Sequence, residues 1–177
     1  LGWTAPSSDY QGYDLVVDVV GSDGAVLSSR SGAVDVSSNW LRFPRYGYVS
    51  AYGPGLDAKA IIAQLTAYHL NGIQFYDWQW KHHKPLKGDP ANPDATWTDI
   101  ANRTVSRATL ESLIANAHAA GMVAMNYNLI YGAFDNYVQD GVSQSWGLFD
   151  APGGPQWQLP MPSGWATSTA AVSLSTW

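Results

Sequence analysis

The chain of 177 residues contains no cysteine, which excludes a disulfide framework and any metal site built on thiolates. Charged residues make up only 13% of it, against about 25% in typical soluble domains, and no basic run is present. Without a basic patch, nucleic acid is disfavoured as a partner. No apolar run approaches the roughly 20 residues needed to cross a bilayer, so we expect no membrane partner either.

Glutamate is nearly absent as well. The chain holds thirteen aspartates and a single glutamate, Glu111, so an enzyme that pairs two carboxyl groups has few candidates here. No glycine-rich phosphate loop follows a predicted strand, and no secretory signal peptide opens the chain. Because the chain begins at Leu1 rather than Met, we expect its true start and any export signal to lie upstream.

Aromatic residues, in contrast, are abundant. They make up 13% of the chain and include nine tryptophans and ten tyrosines. Aromatic-rich, charge-poor surfaces are typical of secreted carbohydrate-active proteins, because flat rings pack against the C–H faces of sugars. The composition therefore favours an extracellular, sugar-binding protein, and nothing in it indicates a cofactor or a metal.

Residues 1–38 have the pattern of β structure. Alternating residues predict strands at Tyr13–Val20, Ala25–Ser29 and Ala33–Ser37, with a turn at Ser22–Gly24. Three short strands are too few for a complete sandwich, which needs about seven. We interpret residues 1–38 as the C-terminal strands of an Ig-like β-sandwich.

From residue 39 the predicted elements alternate between strands and helices. A strand region at Trp40–Tyr52 precedes a helix that Asp57 caps and Asn71–Gly72 ends. The later predicted elements are a strand after Gly72, a long polar loop at 85–103, a helix from its cap Ser106 to Gly121, a strand at Met122–Ile130 and a short helix near 142–149.

This alternation predicts an α/β fold with parallel βαβ units. It fits a (β/α)8 barrel or a doubly wound sheet, and the missing phosphate loop disfavours a nucleotide-binding sheet. Only three of the eight barrel strands are present. We therefore interpret residues 39–177 as the N-terminal part of an incomplete (β/α)8 barrel.

The most informative stretch is Asn71–Pro85, NGIQFYDWQWKHHKP. It begins as a buried strand and ends in aromatic, acidic and basic side chains, a mixture that suits sugar rings and their hydroxyls. At strand exits, barrel enzymes build their sites. The candidate sugar-binding residues are Tyr46, Asp77, Trp80, Lys81, His82, Asn126, Tyr127 and Tyr131.

Other interpretations of these residues stay open. Asp77 is also a candidate structural partner for an arginine or lysine. If the strand continues, Trp78 and Trp80 point to opposite faces, so one of them packs under the helices. His82 and His83 are equally well read as solvated loop residues, and as neighbours they should point apart with no third ligand for a metal.

Four segments resemble the dextranases and cycloisomaltooligosaccharide glucanotransferases of glycoside hydrolase family 66. They are VDVSSNWLRFPRYGYVSAY from Val34, AYHLNGIQFYDWQWKHHKPL from Ala67, HAAGMVAMNYNLIYGA from His118, and WGLF from Trp146. The resemblance implies an Ig-like domain, a (β/α)8 barrel and a further β domain. It also implies an endo-acting retaining mechanism on α-1,6-glucan, with an aspartate nucleophile and a glutamate acid/base on later barrel strands.

This chain departs from that pattern because it lacks the catalytic pair. A retaining glycosidase needs two carboxyl groups about 5 to 5.5 Å apart, and Glu111 falls within the second predicted helix. We therefore predict that this chain alone is inactive. For the full-length protein, the sequence favours hydrolysis of dextran or isomaltooligosaccharides. Cyclisation of the glucan by transglycosylation and non-catalytic α-glucan binding are the alternatives.

Overall fold

A computed structural model describes residues 2–129, 132–134, 136–146 and 169–171. The chain divides into two units, Leu1–Arg45 and Tyr46–Trp177. Tyr131 and most of the WGLF segment lie outside the described residues. Within the described residues, no helix is long and apolar enough to cross a membrane.

The first unit is built on an antiparallel hairpin of β1 (Gln11–Val20) and β2 (Val26–Val36). The predicted separate strands Ala25–Ser29 and Ala33–Ser37 are wrong, because β2 is continuous. Leu15 pairs with Gly32 and Val17 with Arg30, so the ladder carries β2 straight through its Ser and Gly residues.

The segment that joins the units differs from its prediction. Trp40–Arg42 is a 3-10 turn rather than a strand, and the Asn39 side chain accepts a hydrogen bond from the Leu41 N–H at 3.0 Å. The strand β3 begins only at Tyr46 and ends at Val49. Local capping by Asn39 thus outweighs the β propensity of the aromatic residues.

Among its described residues, the second unit contains two α-helices and a three-stranded parallel sheet, in which the strand Gly72–Phe75 lies between β3 and the strand Val123–Asn126. Its remaining elements, in chain order, are α1 (Ala58–Ala67), β4 (Gly72–Phe75), β5 (Gly88–Asp89), β6 (Asn92–Pro93), β7 (Thr96–Thr98), β8 (Thr104–Ser106), α2 (Arg107–Ala119), β9 (Val123–Asn126), β10 (Gly132–Phe134) and β11 (Thr169–Ala171). The parallel pairing confirms the predicted α/β class.

Both predicted helix caps are confirmed. Asp57 accepts from the Ala60 N–H at 3.0 Å, and Ser106 accepts from the Thr109 N–H at 3.3 Å. Each contact satisfies one of the N–H groups that a helix leaves without a partner at its start. The end of α1 was predicted too late: the helix stops at Ala67, and His69 takes a left-handed φ of 59°.

The core of the second unit lies between the sheet and the two helices. Ile73 and Phe75 alternate along β4 and are buried against Ile62 of α1 and Leu113 of α2. Residues of β3 and β9 that are level with Ile73 and Phe75 share this face, while Tyr46, Tyr48 and Gln74 face the other way. One face of the sheet is therefore packed, and the other carries tyrosines.

The loop predicted at 85–103 is more ordered than expected. It contains the small antiparallel pair β5 and β6 and the strand β7, which pairs antiparallel with β8 just after the predicted loop. The turn between β7 and β8 is held by the buried Asp99, which accepts from the N–H groups of Ala101 and Arg103, each at 2.9 Å, and from Arg103 Nε at 2.7 Å. Trp97 of β7 enters the main core, so this loop packs against the sheet and helices.

Candidate functional site

The carboxyl ends of β3, β4 and β9 lie side by side at one edge of the sheet. Val49, Phe75 and Asn126 stand opposite one another at the last paired position. Pairing continues one residue further, because the Tyr76 N–H donates to Val49 O at 2.9 Å and the Tyr127 N–H donates to Phe75 O at 3.3 Å. The residues that follow β4 and β9 are therefore held as neighbours.

Three tyrosines form a row across this edge: Tyr48, Tyr76 and Tyr127, which we call the aromatic row. The ring centroids lie 5.9 Å apart between Tyr48 and Tyr76, and 4.1 Å apart between Tyr76 and Tyr127. Tyr48 is 67% exposed and Tyr76 is 36% exposed, so the row is open to a ligand. Tyr46 lies on the same exposed face of β3 as Tyr48. The side-chain amide of the buried Gln79 donates a hydrogen bond to the Tyr127 carbonyl and so holds the backbone of Tyr127 in place.

Asp77 follows the aromatic row directly and is half-buried. Its backbone has a left-handed φ of 49°, which is uncommon for residues other than glycine. Burial raises the pKa of the Asp77 carboxyl; the Arg103 guanidinium opposes this rise, and the Asp99 carboxylate adds to it. A carboxyl group with a raised pKa next to exposed rings is typical of a ligand site.

Trp78 and Asn126 bind each other rather than facing the aromatic row. The Trp78 indole donates to Asn126 Oδ1 at 2.8 Å, and the Trp97 indole donates to the Trp78 carbonyl at 2.8 Å. Since β4 ends at Phe75, the alternation predicted for Trp78 and Trp80 does not extend to them. Trp78 packs against the core, which agrees with the interpretation that one of the two tryptophans packs under the helices.

Trp80 leads into a tight turn, Lys81–Lys84. The turn is closed by the Lys81 N–H donating to Lys84 O at 3.3 Å and by the Lys84 N–H donating to Lys81 O at 3.2 Å. Trp80 is half-buried against the main core, and Lys81 Nζ lies 4.2 Å from the centroid of its ring. The ammonium group therefore stabilises the indole by a cation–π contact.

Asp140 gathers the polar side chains of this turn into what we call the Asp140 cluster. Its carboxylate forms an ion pair with the buried Lys81, lies 2.9 Å from His83 Nε2, and lies 3.9 Å from Lys84 Nζ. Partial burial acts to raise the pKa of Asp140, but the hydrogen bonds from Lys81 and His83, together with the positive charge of Lys81, outweigh it and lower that pKa. The cluster ties the exit of β4 to the segment that follows β10.

His83 is held as a neutral ring in this cluster. The Phe134 N–H donates to His83 Nδ1 at 3.2 Å, so Nδ1 carries no proton and Nε2 donates to Asp140. Burial lowers the pKa of His83 although Asp140 opposes the change, and Lys81 and Lys84 lower it further. A proton on Nδ1 would displace the hydrogen bond that Nδ1 accepts from the Phe134 N–H.

His82 is 6% exposed and contacts the same ring. The His82 and His83 centroids lie 5.7 Å and 6.1 Å from that of Phe134, so the neighbouring histidines converge, contrary to the prediction that they point apart. His82 Nδ1 has no hydrogen-bond partner among the described residues. Burial, with a smaller effect from His83, lowers the pKa of His82 to about 4.

Seven of the eight predicted site residues are described, and they fall into three places. Asp77 and Tyr127 lie at the carboxyl edge with the aromatic row, and Tyr46 is on the same exposed face of the sheet. Trp80, Lys81 and His82 belong to the turn beside Asp140, where Lys81 and His82 are buried. Asn126 binds Trp78, and Tyr131 lies outside the described residues. Sugar contacts by these residues stay predictions.

Tyr76 and Asp140 were missed as site residues. Tyr76 was read only as part of a buried strand, yet its place directly after β4 is the same as that of Tyr127 after β9. Comparing the residues just past each strand would have found it. Asp140 lies 59 residues from Lys81, and no local pattern signals their contact.

A cavity of about 330 Å³ lies on the helix side of the sheet. Its lining, which includes Leu110 and Ile114 of α2 and Ala124 of β9, is almost entirely apolar. Sugar sites need several polar groups for hydroxyls, so this cavity fits a sugar poorly. Among the residues that the structure describes, no group of three His, Asp or Glu side chains is arranged to hold a metal.

Comparison with known proteins identifies the family of this chain. The model of "Glycosyl hydrolase family 66" matches residues 1–175. The chain belongs to glycosyl hydrolase family 66. Two cycloisomaltooligosaccharide glucanotransferases of Niallia circulans are 41% identical over 152 residues and 38% identical over 156, covering 84% and 86% of this chain. A dextranase of Streptococcus salivarius is 25% identical over 182 residues and covers 83%.

A solved structure is similar over nearly the whole chain. The cycloisomaltooligosaccharide glucanotransferase of Paenibacillus sp., complexed with cycloisomaltoheptaose, aligns with a TM-score of 0.76 and 36% identity, covering 97% of this chain and 24% of that one. Against the three curated relatives, the chain spans 15%, 16% and 22% of their lengths. Its residues therefore correspond to a small part of each family 66 enzyme.

Replacing Asp140 tests the importance of its cluster. In Asp140→Asn, the buried Lys81 loses its counter-charge, and we expect unfolding to become easier by roughly 3 kcal/mol. The matched control is Asp94→Asn, because Asp94 forms an exposed pair with Lys87 at 3.5 Å, and we expect it to cost less than about 1 kcal/mol. Urea unfolding followed by tryptophan fluorescence measures both. Equal losses would show that the buried Lys81 does not depend on Asp140 as its counter-charge.

The buried His82 predicts a loss of stability in mild acid. Its unfolded form binds a proton below about pH 6.5, while the folded form binds one only near pH 4. Between these values the unfolded state holds more protons, so stability falls as pH falls, by roughly 2 kcal/mol.

We expect His82→Phe, which keeps a ring against Phe134, to lose less stability than the native chain between pH 7 and pH 4.5. Urea unfolding at each pH measures the difference. His118→Phe, at an exposed position on α2, serves as control and should keep the native pH dependence. A His82→Phe curve parallel to the native one would contradict the assignment.

Proposed function

We propose that this chain forms one wall of the sugar cleft in an endo-acting, retaining glycoside hydrolase that cleaves α-1,6-glucosidic bonds in dextran. The observation that carries the proposal is the exposed aromatic row beside Asp77, at the strand exits of a family 66 chain. Rings at 5.9 Å and 4.1 Å spacing offer apolar surface to glucose units, and Asp77 offers oxygens to their hydroxyls.

The proposal includes the architecture of the whole protein. We take β3, β4 and β9 as the first three strands of a (β/α)8 barrel within residues 39–177, with residues 1–38 as the end of an Ig-like domain. Two features support the barrel: the parallel pairing and the packing of α1 and α2 on one face of the sheet. We also propose that the protein is secreted, since its polymeric substrate is extracellular.

The bond-breaking groups must come from elsewhere in the whole protein. A retaining mechanism uses a nucleophile and an acid/base about 5 to 5.5 Å apart. Glu111 cannot be the acid/base, because it lies on α2 with its side chain 68% exposed and 3.7 Å from Arg107. We therefore assign binding to this chain and expect an aspartate nucleophile and a glutamate acid/base on other strands.

Among the predicted site residues, Asp77 and Tyr127 are the strongest candidates for direct glucan contact, with Tyr46 next. Trp80 is a candidate through the exposed part of its ring. Lys81 and His82 are buried, so we propose that they support the turn that carries Trp80. For Asn126, which binds Trp78, a direct contact would use its amide nitrogen.

Cyclisation of the glucan is the second candidate function. It uses the same covalent intermediate, which a sugar hydroxyl attacks in place of water. The sequences of the two glucanotransferases are more similar to this chain than the sequence of the dextranase is, and this favours cyclisation. The described residues do not include the groups that would select water or sugar as acceptor.

The reaction products test the proposal. Incubating dextran with the whole protein is expected to release reducing ends if the protein hydrolyses it, and cyclic oligomers without reducing ends if it cyclises. Residues 1–177 alone are expected to release neither. Starch, with α-1,4 bonds, serves as the control substrate. A whole protein that binds dextran and leaves it uncleaved would establish the non-catalytic alternative, and activity of residues 1–177 alone would disprove our assignment of the catalytic pair.

The aromatic row predicts which side chains hold the glucan. We expect Tyr76→Ala to weaken binding of linear α-1,6-glucose oligomers about tenfold, because one ring contact is worth roughly 1.4 kcal/mol. Tyr68→Ala is the matched control, since Tyr68 is 70% exposed at the end of α1, away from the row. Isothermal titration calorimetry measures both affinities. If Tyr76→Ala binds as tightly as Tyr68→Ala, the row is not the binding surface.

A further inference from the structure

Tyr52 is a buried tyrosine, three residues after β3, that the proposed sugar contacts do not use. It is 2% exposed, and its ring stacks on that of Phe75 with centroids 6.3 Å apart. Its hydroxyl lies 2.5 Å from Val49 O and 2.9 Å from Tyr76 O, so one proton is shared between two carbonyls. Burial raises the pKa of Tyr52 well above its usual value, which keeps the phenol protonated as a donor.

These contacts hold Tyr76 at both ends. Its N–H donates to Val49 O at 2.9 Å, and its carbonyl accepts from Tyr52. That carbonyl belongs to the peptide group that joins Tyr76 to Asp77. The left-handed φ of Asp77, 49°, is the rotation between this peptide group and the rest of Asp77. This conformation costs energy for residues other than glycine, so contacts that fix the adjoining peptide group help to maintain it.

We propose that Tyr52 is a positioning residue: by donating to the Tyr76 carbonyl, it holds Asp77 in the left-handed conformation beside the aromatic row. The inference rests on the proposed role of Asp77 in glucan binding. It extends that role to a residue that touches no sugar. The charged groups that act on Asp77 are Arg103 and Asp99, both in the turn between β7 and β8.

Coupling between the two residues gives the first test. Asp77→Gly and Asp77→Ala are compared by urea unfolding, once with Tyr52 present and once with Tyr52→Phe. Glycine tolerates a positive φ and alanine does not. With Tyr52 present, we expect the glycine variant to have an unfolding equilibrium constant about fivefold lower than the alanine variant. With Tyr52→Phe, the backbone relaxes and the ratio is expected to approach one. No glycine advantage with Tyr52 present, or the same advantage in both backgrounds, would overturn the inference.

The titration of Asp77 gives a test that a purely structural role of Tyr52 would not affect. In protein labelled with ¹³C-aspartate, the Asp77 carboxyl signal is followed against pH. With Tyr52→Phe we expect its midpoint to fall by about half a pH unit, because a released Asp77 becomes better hydrated. Tyr137→Phe is the matched control: Tyr137 is buried, and its hydroxyl makes no hydrogen bond within the described part of the chain. An unchanged midpoint in Tyr52→Phe would overturn the inference.

A conservative variant covers the case in which Tyr52→Phe fails to fold. Replacing Tyr52 with p-aminophenylalanine keeps a donor near the same two carbonyls, and we expect the native Asp77 midpoint and native glucan affinity. A midpoint that shifts in this variant would disprove the positioning role. If the native protein does not bind glucan, the proposed function is wrong. The positioning role is still tested in that case, because the titration and the Gly/Ala comparison require no sugar.

Discussion

Val49, Phe75 and Asn126 stand opposite one another in the sheet, and hydrogen bonds continue one residue beyond them. Much of the candidate site depends on this level pairing. It places Tyr76 beside Tyr127, brings the Tyr76 carbonyl within reach of the Tyr52 hydroxyl, and leaves Asp77 at the edge of the sheet. A slip of one residue would exchange the two faces of β4 and move Phe75 out of the core. The packing of the core and the order of the aromatic row are therefore set by the same constraint.

The strand exits carry two polar arrangements of different character. In the aromatic row, Tyr48 and Tyr76 are exposed, which leaves ring surface for a ligand. In the Asp140 cluster, a buried lysine, a neutral histidine and a carboxylate satisfy one another. Burying such charges costs desolvation energy that their attraction largely repays, so the cluster fixes the turn more than it stabilises the fold. The first arrangement suits binding, and the second suits support.

The sequence predicted those features that depend on contacts between residues close together in the chain. Asp57 and Ser106 were identified as caps because each acts on an N–H three residues away. The strand exits were predicted as the candidate site because βαβ alternation places them at one edge, and the parallel pairing confirms that position. The continuous β2 was missed because cross-strand pairing with β1 overrides its Ser and Gly residues. Asp140, and the φ of Asp77, depend on contacts between distant segments, and no spacing in the sequence encodes these.

The distribution of carboxyl groups limits the chemistry that this chain can contribute. Asp77 is half-buried at the carboxyl edge, and its pKa is raised by burial, with Arg103 opposing the rise and Asp99 adding to it. The Asp99 carboxylate accepts hydrogen bonds within its own turn, and the Asp140 carboxylate binds Lys81 and His83. Asp77 alone among these three has no hydrogen bond or ion pair to its carboxyl within the described residues. One available carboxyl group cannot perform a displacement that requires two, and for this reason we propose that Asp77 orients a sugar rather than breaks its bonds.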